Sequence, residues 1–211
     1  MTEFNLYMKR LFFLLTALVL MTGTALAQQP TVKEIYEKAM SVMDQNKGFQ
    51  ADMTFKVLKM SFSFHMSVLG NRSKMVTEDG NTRYSDGKTV WTYDKKKNAI
   101  TIENESQQDG KAAQTNMLNA FAQGYDSQLS KTVEGWLITF KKKKTNQDKD
   151  AVNSAEMVVN SQTYHPISLK FKKGLMTLTI GYKNIKTGMT AENVTYSSSR
   201  YPGAKVTDKR K

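Results

Sequence analysis

Tyr84-Ser-Asp-Gly-Lys-Thr-Val-Trp-Thr-Tyr-Asp94 decides the fold class of this 211-residue chain. Asp86-Gly87 is a tight-turn signal, because glycine supplies the positive φ that such turns need. Directly after it, Thr89, Trp91 and Tyr93 share one parity, with Val90 and Thr92 between them. That alternation predicts a short β-strand with large rings on one face.

The same period of two runs outward on both sides. Phe49, Ala51, Met53, Phe55 and Val57 share a parity. Met60, Phe62, Phe64, Met66 and Val68 alternate with Ser61, Ser63, His65 and Ser67, the pattern of a strand with one dry face. Gly70-Asn71 marks a turn, and strands are expected over 74–78, 81–84 and 99–103. Further strands are expected around Trp136, Ile138 and Phe140, then over 157–159, 167–171 and 176–182, with 194–196 the last and a short extended end after Pro202-Gly203. Two helices interrupt the pattern. Thr31-Val-Lys-Glu34 has capping-box spacing, and Val32, Ile35, Ala39, Val42 and Met43 recur at helical spacing toward Gly48. Met117, Leu118, Ala120, Phe121 and Ala122 predict a second, short helix over 115–123, either a plug or lid over the sheet or an ordinary connection. About ten strands and two helices predict a mainly β fold: a strongly curved antiparallel sheet or incomplete β-barrel with helices on its concave side.

The N-terminus reads as a cleavable secretory signal. Lys9-Arg10 is its basic region, 11–21 its apolar region and Ala25-Leu26-Ala27 its cleavage site, with Met8 an alternative start. One domain over 28–211 is expected after cleavage. Removing residues 1–27 takes away Lys9, Arg10 and Glu3 and lowers the net charge only from +12 to +11. Outside the cytoplasm such a charge points to anionic membrane surfaces or acidic proteins rather than nucleic acid. The lysine runs 95–97, 141–144, 172–173 and 209–211 (with Arg210) fall at strand ends, which fits either solvated loops or a docking surface. With no cysteine, disulfides, thiol catalysis and a cysteine-linked lipid anchor are excluded.

Catalytic signals are thin. His65 lies on the polar parity of its strand, and His165 precedes Pro166 in a turn; neither has a ligand partner at metal spacing. No nucleophile elbow or phosphate-binding glycine loop is present. No enzymatic activity, cofactor or metal is expected. Ten of the thirteen methionines lie after residue 27, several sharing strand faces with Phe55, Phe62 and Phe64. Methionine adapts to varied apolar shapes, so these residues form either packed core or an adaptable binding face.

Taken in order, these segments resemble the LolA-type periplasmic carriers of outer-membrane lipoproteins. The resemblance rests on the helix leading into Gly48-Phe49-Gln-Ala51-Asp-Met53-Thr-Phe55, on Asp86-Gly-Lys-Thr-Val-Trp91-Thr-Tyr93, on the helical insertion at 115–123, and on Val194-Thr-Tyr196 with Pro202-Gly203-Ala-Lys-Val206-Thr-Asp208-Lys-Arg210. It implies an incomplete barrel with a helical lid over an apolar cavity. It implies a monomeric, non-enzymatic carrier that takes lipoprotein acyl chains from an inner-membrane export complex to an outer-membrane acceptor or membrane surface. An envelope ligand-sensing or protein-interaction module on the same fold is the alternative. Residues expected to line the cavity are Met53, Phe55, Met60, Phe62, Phe64, Met66, Met75, Trp91, Tyr93, Met117, Leu118, Phe121, Ile138, Phe140, Leu178 and Ile180. Arg72 is the candidate lid latch, although Arg72-Ser73 stands where the family commonly has Arg-Pro and Met75 where an aromatic often follows.

Overall fold

Alternating apolar and polar residues commit most of the chain to strands, and the tight turns between them make neighbours pair as hairpins. The computed structural model describes residues 29–105 and 124–210, and Thr31–Lys211 form one compact unit. The predicted second helix, with Met117, Leu118 and Phe121, lies outside the described residues. Helix α1 (Val32–Val42) is followed by β1 (Phe49–Val57), β2 (Met60–Leu69), β3 (Arg72–Thr77), β4 (Thr82–Ser85), β5 (Thr89–Asp94) and β6 (Ala99–Asn104). Then come β7 (Tyr125–Lys131), β8 (Trp136–Lys142), β9 (Ser154–Val159), β10 (Pro166–Lys173) and β11 (Met176–Thr187). The chain ends with the single turn α2 (Ala191–Val194), a 3₁₀ turn (Ser198–Arg200) and β12 (Lys205–Asp208).

All twelve strands form one curved sheet in the order β12-β6-β5-β4-β3-β2-β1-β11-β10-β9-β8-β7. It stays open: β12 and β7 are its two edges, so the sheet is not closed into a barrel. Every pairing is antiparallel except β12 with β6, which is parallel and departs from the all-antiparallel expectation. Strand β7 is absent from the sequence-based reading because only Tyr125 is buried and most of the rest is polar and exposed, as suits an edge.

The capping box forms as its spacing predicts. The Thr31 N–H donates to Glu34 Oε2 at 2.7 Å, and the Glu34 N–H donates to Thr31 Oγ1 at 3.2 Å. The helix stops at Val42, short of the expected Gly48. Asp44 diverts the chain there: its Oδ1 accepts from the Asn46 N–H at 2.9 Å, an Asx turn that competes with helix. Ile35 and Ala39 are fully buried against Tyr125, Ile138, Phe140, Ala155, Met157 and Val159. Met43 extends this contact to Phe49, Ala51, Val68 and Tyr182.

The expected last strand at 194–196 is not one. The Asn193 carboxamide oxygen accepts from the Thr190 N–H at 2.9 Å and from its hydroxyl at 2.8 Å, folding Ala191–Val194 into a helical turn that buries Val194.

Candidate functional site

Cross-strand register shows how the sheet presents its apolar side chains. Leu129, Ile138, Met157, Leu169, Ile180, Phe55 and Phe62 are successive partners from β7 across β8, β9, β10, β11 and β1 to β2. At the strand spacing of about 4.8 Å this apolar row runs for roughly 29 Å. A second row runs beside it: Phe140, Ala155, Phe171, Leu178, Val57 and Met60. Tyr182, Met53 and Phe64 form a third, and Ala51, Met66 and Met75 a fourth. The fourth row turns polar at β4, where Met75 is followed by Arg83, Thr92 and Thr101. All these residues share the face on which α1 packs.

Among the described residues, helix α1 covers only part of that face. Ile138 and Phe140 lie beneath it and are core. Met53, Phe55, Phe64, Met66, Met75, Leu178 and Ile180 are half-buried, and Phe55 stacks on Phe64 with ring centroids 5.3 Å apart. Met60 and Phe62 are 55% and 56% exposed. Along the four rows no charged side chain occurs between β7 and β3; Arg83 on β4 is the first. Burial pushes the phenols of Tyr182 and Tyr36 up to about 12, so both are neutral, and the Tyr36 hydroxyl has no hydrogen-bond partner among the described residues. The floor also uses Met157, Leu169 and Phe171. Their alternation with polar neighbours was visible in the sequence; which parity faces α1 was not.

Trp91 and Tyr93 leave the expected set. Their partners are Tyr84 and Thr82 on β4 and Ile102 and Ile100 on β6, all on the face opposite α1. The C-terminal segment covers them there. Tyr196 stacks on Trp91 at 5.2 Å, Tyr201 lies 4.2 Å from Tyr93, and the Tyr201 hydroxyl donates to that of Tyr84 at 3.0 Å. Val90 and Thr92, between the rings, face the α1 side. Arg72 is exposed and shares the parity of Lys74 and Val76, on the same opposite face; its guanidinium donates to Thr195 Oγ1 at 3.5 Å, just after α2. The structure thus joins Arg72 to the C-terminal segment.

A polar cluster also lies on the opposite face. Asp52 Oδ1 is 2.8 Å from His65 Nδ1, and Asp52 Oδ2 accepts from Asn184 Nδ2 at 2.6 Å. An ionised carboxylate only accepts, so His65 Nδ1 carries the proton. His65 Nε2 is 3.5 Å from Ser67 Oγ. The order of groups is that of a hydrolytic triad, but the Ser67 residue is only 3% exposed, and this closes its hydroxyl to a substrate. No cluster of three metal-ligating side chains occurs among the described residues. Asp86 Oδ1 accepts from the N–H groups of Lys88 and Thr89 at 2.9 and 2.8 Å, so this carboxylate shapes its turn. No helix of the described residues is long and apolar enough to cross a membrane.

One solved structure shares the fold. A crystal structure of an uncharacterized conserved protein from Thermus thermophilus is similar at a TM-score of 0.52 and 13% identity, over 85% of this chain and 100% of that one. A LolA superfamily protein from Nitrosomonas europaea aligns at 11% identity and a TM-score of 0.37, over 81% of this chain and 99% of that one. The lipoprotein LppX of Mycobacterium tuberculosis aligns at 9% identity and a TM-score of 0.42, over 74% and 94%. No curated protein matches the sequence. The family model for the outer membrane lipoprotein carrier protein LolA matches residues 23–175, which spans α1 and β1 to β10. With most of the chain inside that match, and an open curved sheet carrying an apolar face under one helix, the chain belongs to the LolA family of outer membrane lipoprotein carrier proteins.

Proposed function

We propose that this protein is a periplasmic carrier that shields lipoprotein acyl chains on the uncovered part of the α1 face and moves them from the inner to the outer membrane. The observation that carries the reading is the seven-strand apolar row from Leu129 to Phe62, which begins beneath α1 and ends on exposed side chains. Each methylene removed from water contributes roughly 0.8 kcal/mol, so a long acyl chain needs such a surface and gains much from it. Half-buried methionines (Met53, Met66 and Met75) suit chains of varied shape. On this reading the chain is exported, cleaved after Ala27, takes its cargo from an inner-membrane export complex, and performs no chemistry on it.

The test is co-purification of the mature chain with a triacylated lipoprotein and with the same lipoprotein lacking its acyl chains. A stoichiometric, detergent-free complex with the acylated form alone is expected, together with lipoprotein mislocalisation in a deletion strain. Equal capture of both forms, or a stable complex with another protein and no lipid in native mass spectrometry, would replace the carrier with a protein-interaction module.

A further inference from the structure

The antiparallel order places five turns on one rim of the sheet: β1–β2, β3–β4, β5–β6, β8–β9 and β10–β11. Three of the four basic runs of the sequence, 95–97, 141–144 and 172–173, lie along that rim, although they are far apart along the chain. Acids are present there too, but most are engaged. Asp79 accepts from Thr77 and Asn81, Asp94 pairs with Lys97 at 3.1 Å, and Asp150 pairs with Lys173 at 3.2 Å.

Two neighbouring turns on this rim have the wrong chemistry for water. The β1–β2 turn is Leu58-Lys59, closed by the pair Val57 and Met60. Leu58 holds φ +55°, a conformation that hairpins usually give to Asn, Asp or Gly, and its residue is 75% exposed. The β10–β11 turn is Gly174-Leu175, closed by Lys173 and Met176, and Leu175 is 99% exposed. Because β1 pairs with β11, with Val57 opposite Leu178, the two leucine tips are side by side. Lysines flank both: Lys56 and Lys59 at one and Lys172 at the other, where the next residue, Lys173, is paired with Asp150. Met60, Phe62 and Met176 carry the exposed apolar surface from the tips onto the α1 face.

Exposed apolar side chains held at a strained turn mark a surface that meets another phase or partner. Lysines beside these tips and along the rim select for negative charge at the level of lipid headgroups, where ammonium groups stay hydrated while short apolar tips reach the acyl boundary. We propose that this rim is a membrane-docking edge, with Leu58 and Leu175 inserting into the interface of an anionic bilayer and the surrounding lysines contacting its phosphates. An apolar partner protein would have no use for the lysines, and an acidic one no use for the leucines. The proposal does not depend on what the apolar face carries.

Vesicle flotation of the mature chain, free of lipoprotein, tests it. The vesicles are phosphatidylcholine with and without phosphatidylglycerol. Binding is expected on the anionic vesicles, about tenfold or more above neutral ones, and weakened by added salt. The pair Leu58→Asn and Leu175→Asn is expected to lower anionic binding by about tenfold. Asn tolerates positive φ, so this variant keeps the hairpin, and its thermal midpoint and its capture of a triacylated lipoprotein should match wild type. Wild-type protein that stays unbound with anionic vesicles, or a double variant that floats as well as wild type, would overturn the docking edge. Loss of lipoprotein capture by wild type with vesicle binding intact would instead remove the carrier reading and leave the edge standing.

Discussion

Asp52 accepts hydrogen bonds on both carboxylate oxygens, from His65 on β2 and from Asn184 on β11, and so ties the two strands that flank β1. These bonds need the ionised form, and they hold its pKa below the usual carboxylate value, the His65 contact foremost. A depressed folded-state pKa gives stability that is present above the unfolded value, near 3.9, and is lost as pH falls below it. The side chain is about half exposed, so solvent screening limits the effect to a few tenths up to about 1 kcal/mol. Asp52→Asn is therefore expected to lower the urea midpoint at pH 7 and to converge on wild type as the pH drops below about 4. A gap of equal size at both pH values would place the cost in packing rather than in the carboxylate. Ser67, close to His65, fits this account as part of the buried strand pairing.

At the scale of elements, turns carry constraints that alternation does not reveal. Gly135 in the β7–β8 hairpin has φ +149°, and a Cβ there would overlap the Val159 carbonyl oxygen and lie 3.0 Å from the Ser161 N–H. Both obstacles are backbone, so they cannot rotate away. Gly135→Ala is expected to cost at least about 2 kcal/mol and to lower the melting temperature by about 6 °C. A thermal scan that matches wild type would mean that the hairpin re-forms with another geometry. The strands themselves were largely legible, because Phe49 to Val57 and Met60 to Val68 alternate cleanly and both parities are distinct. Strand β7 was not, since an edge with Asp126, Ser127 and Gln128 exposed has no dry face to advertise. Val194-Thr-Tyr196 misled in the opposite direction: three β-favouring residues follow a Thr190–Asn193 box that turns the chain first. The rings of Trp91 and Tyr93 were correctly placed on one face of a strand. Which face that was depends on Tyr196 and Tyr201, more than one hundred residues later, and no local pattern contains that contact.

For the whole molecule, one face of the sheet has two environments. Under α1 it is core, with Ile138 fully buried; past β11 it is half-covered, and at Phe62 it is more than half exposed. The same row of partners runs from Ile138 to Phe62, and its outer end gains little from burial. This division separates folding from binding experimentally. Ile138→Asp buries a charge without a partner and is expected to abolish the cooperative thermal transition. Phe62→Asp places a charge where water already reaches and is expected to leave the melting temperature within about 2 °C of wild type. Lipoprotein capture by the second variant should nevertheless weaken about tenfold to a hundredfold, the equivalent of roughly 1.5–3 kcal/mol for the contact of one large apolar side chain. The measurement is a titration of acylated lipoprotein against each folded variant, with thermal melts in parallel. Should Phe62→Asp capture lipoprotein as well as wild type, the exposed end of the row is not where the acyl chains lie. The site would then have to be sought nearer Tyr182 and Met53, beside the helix.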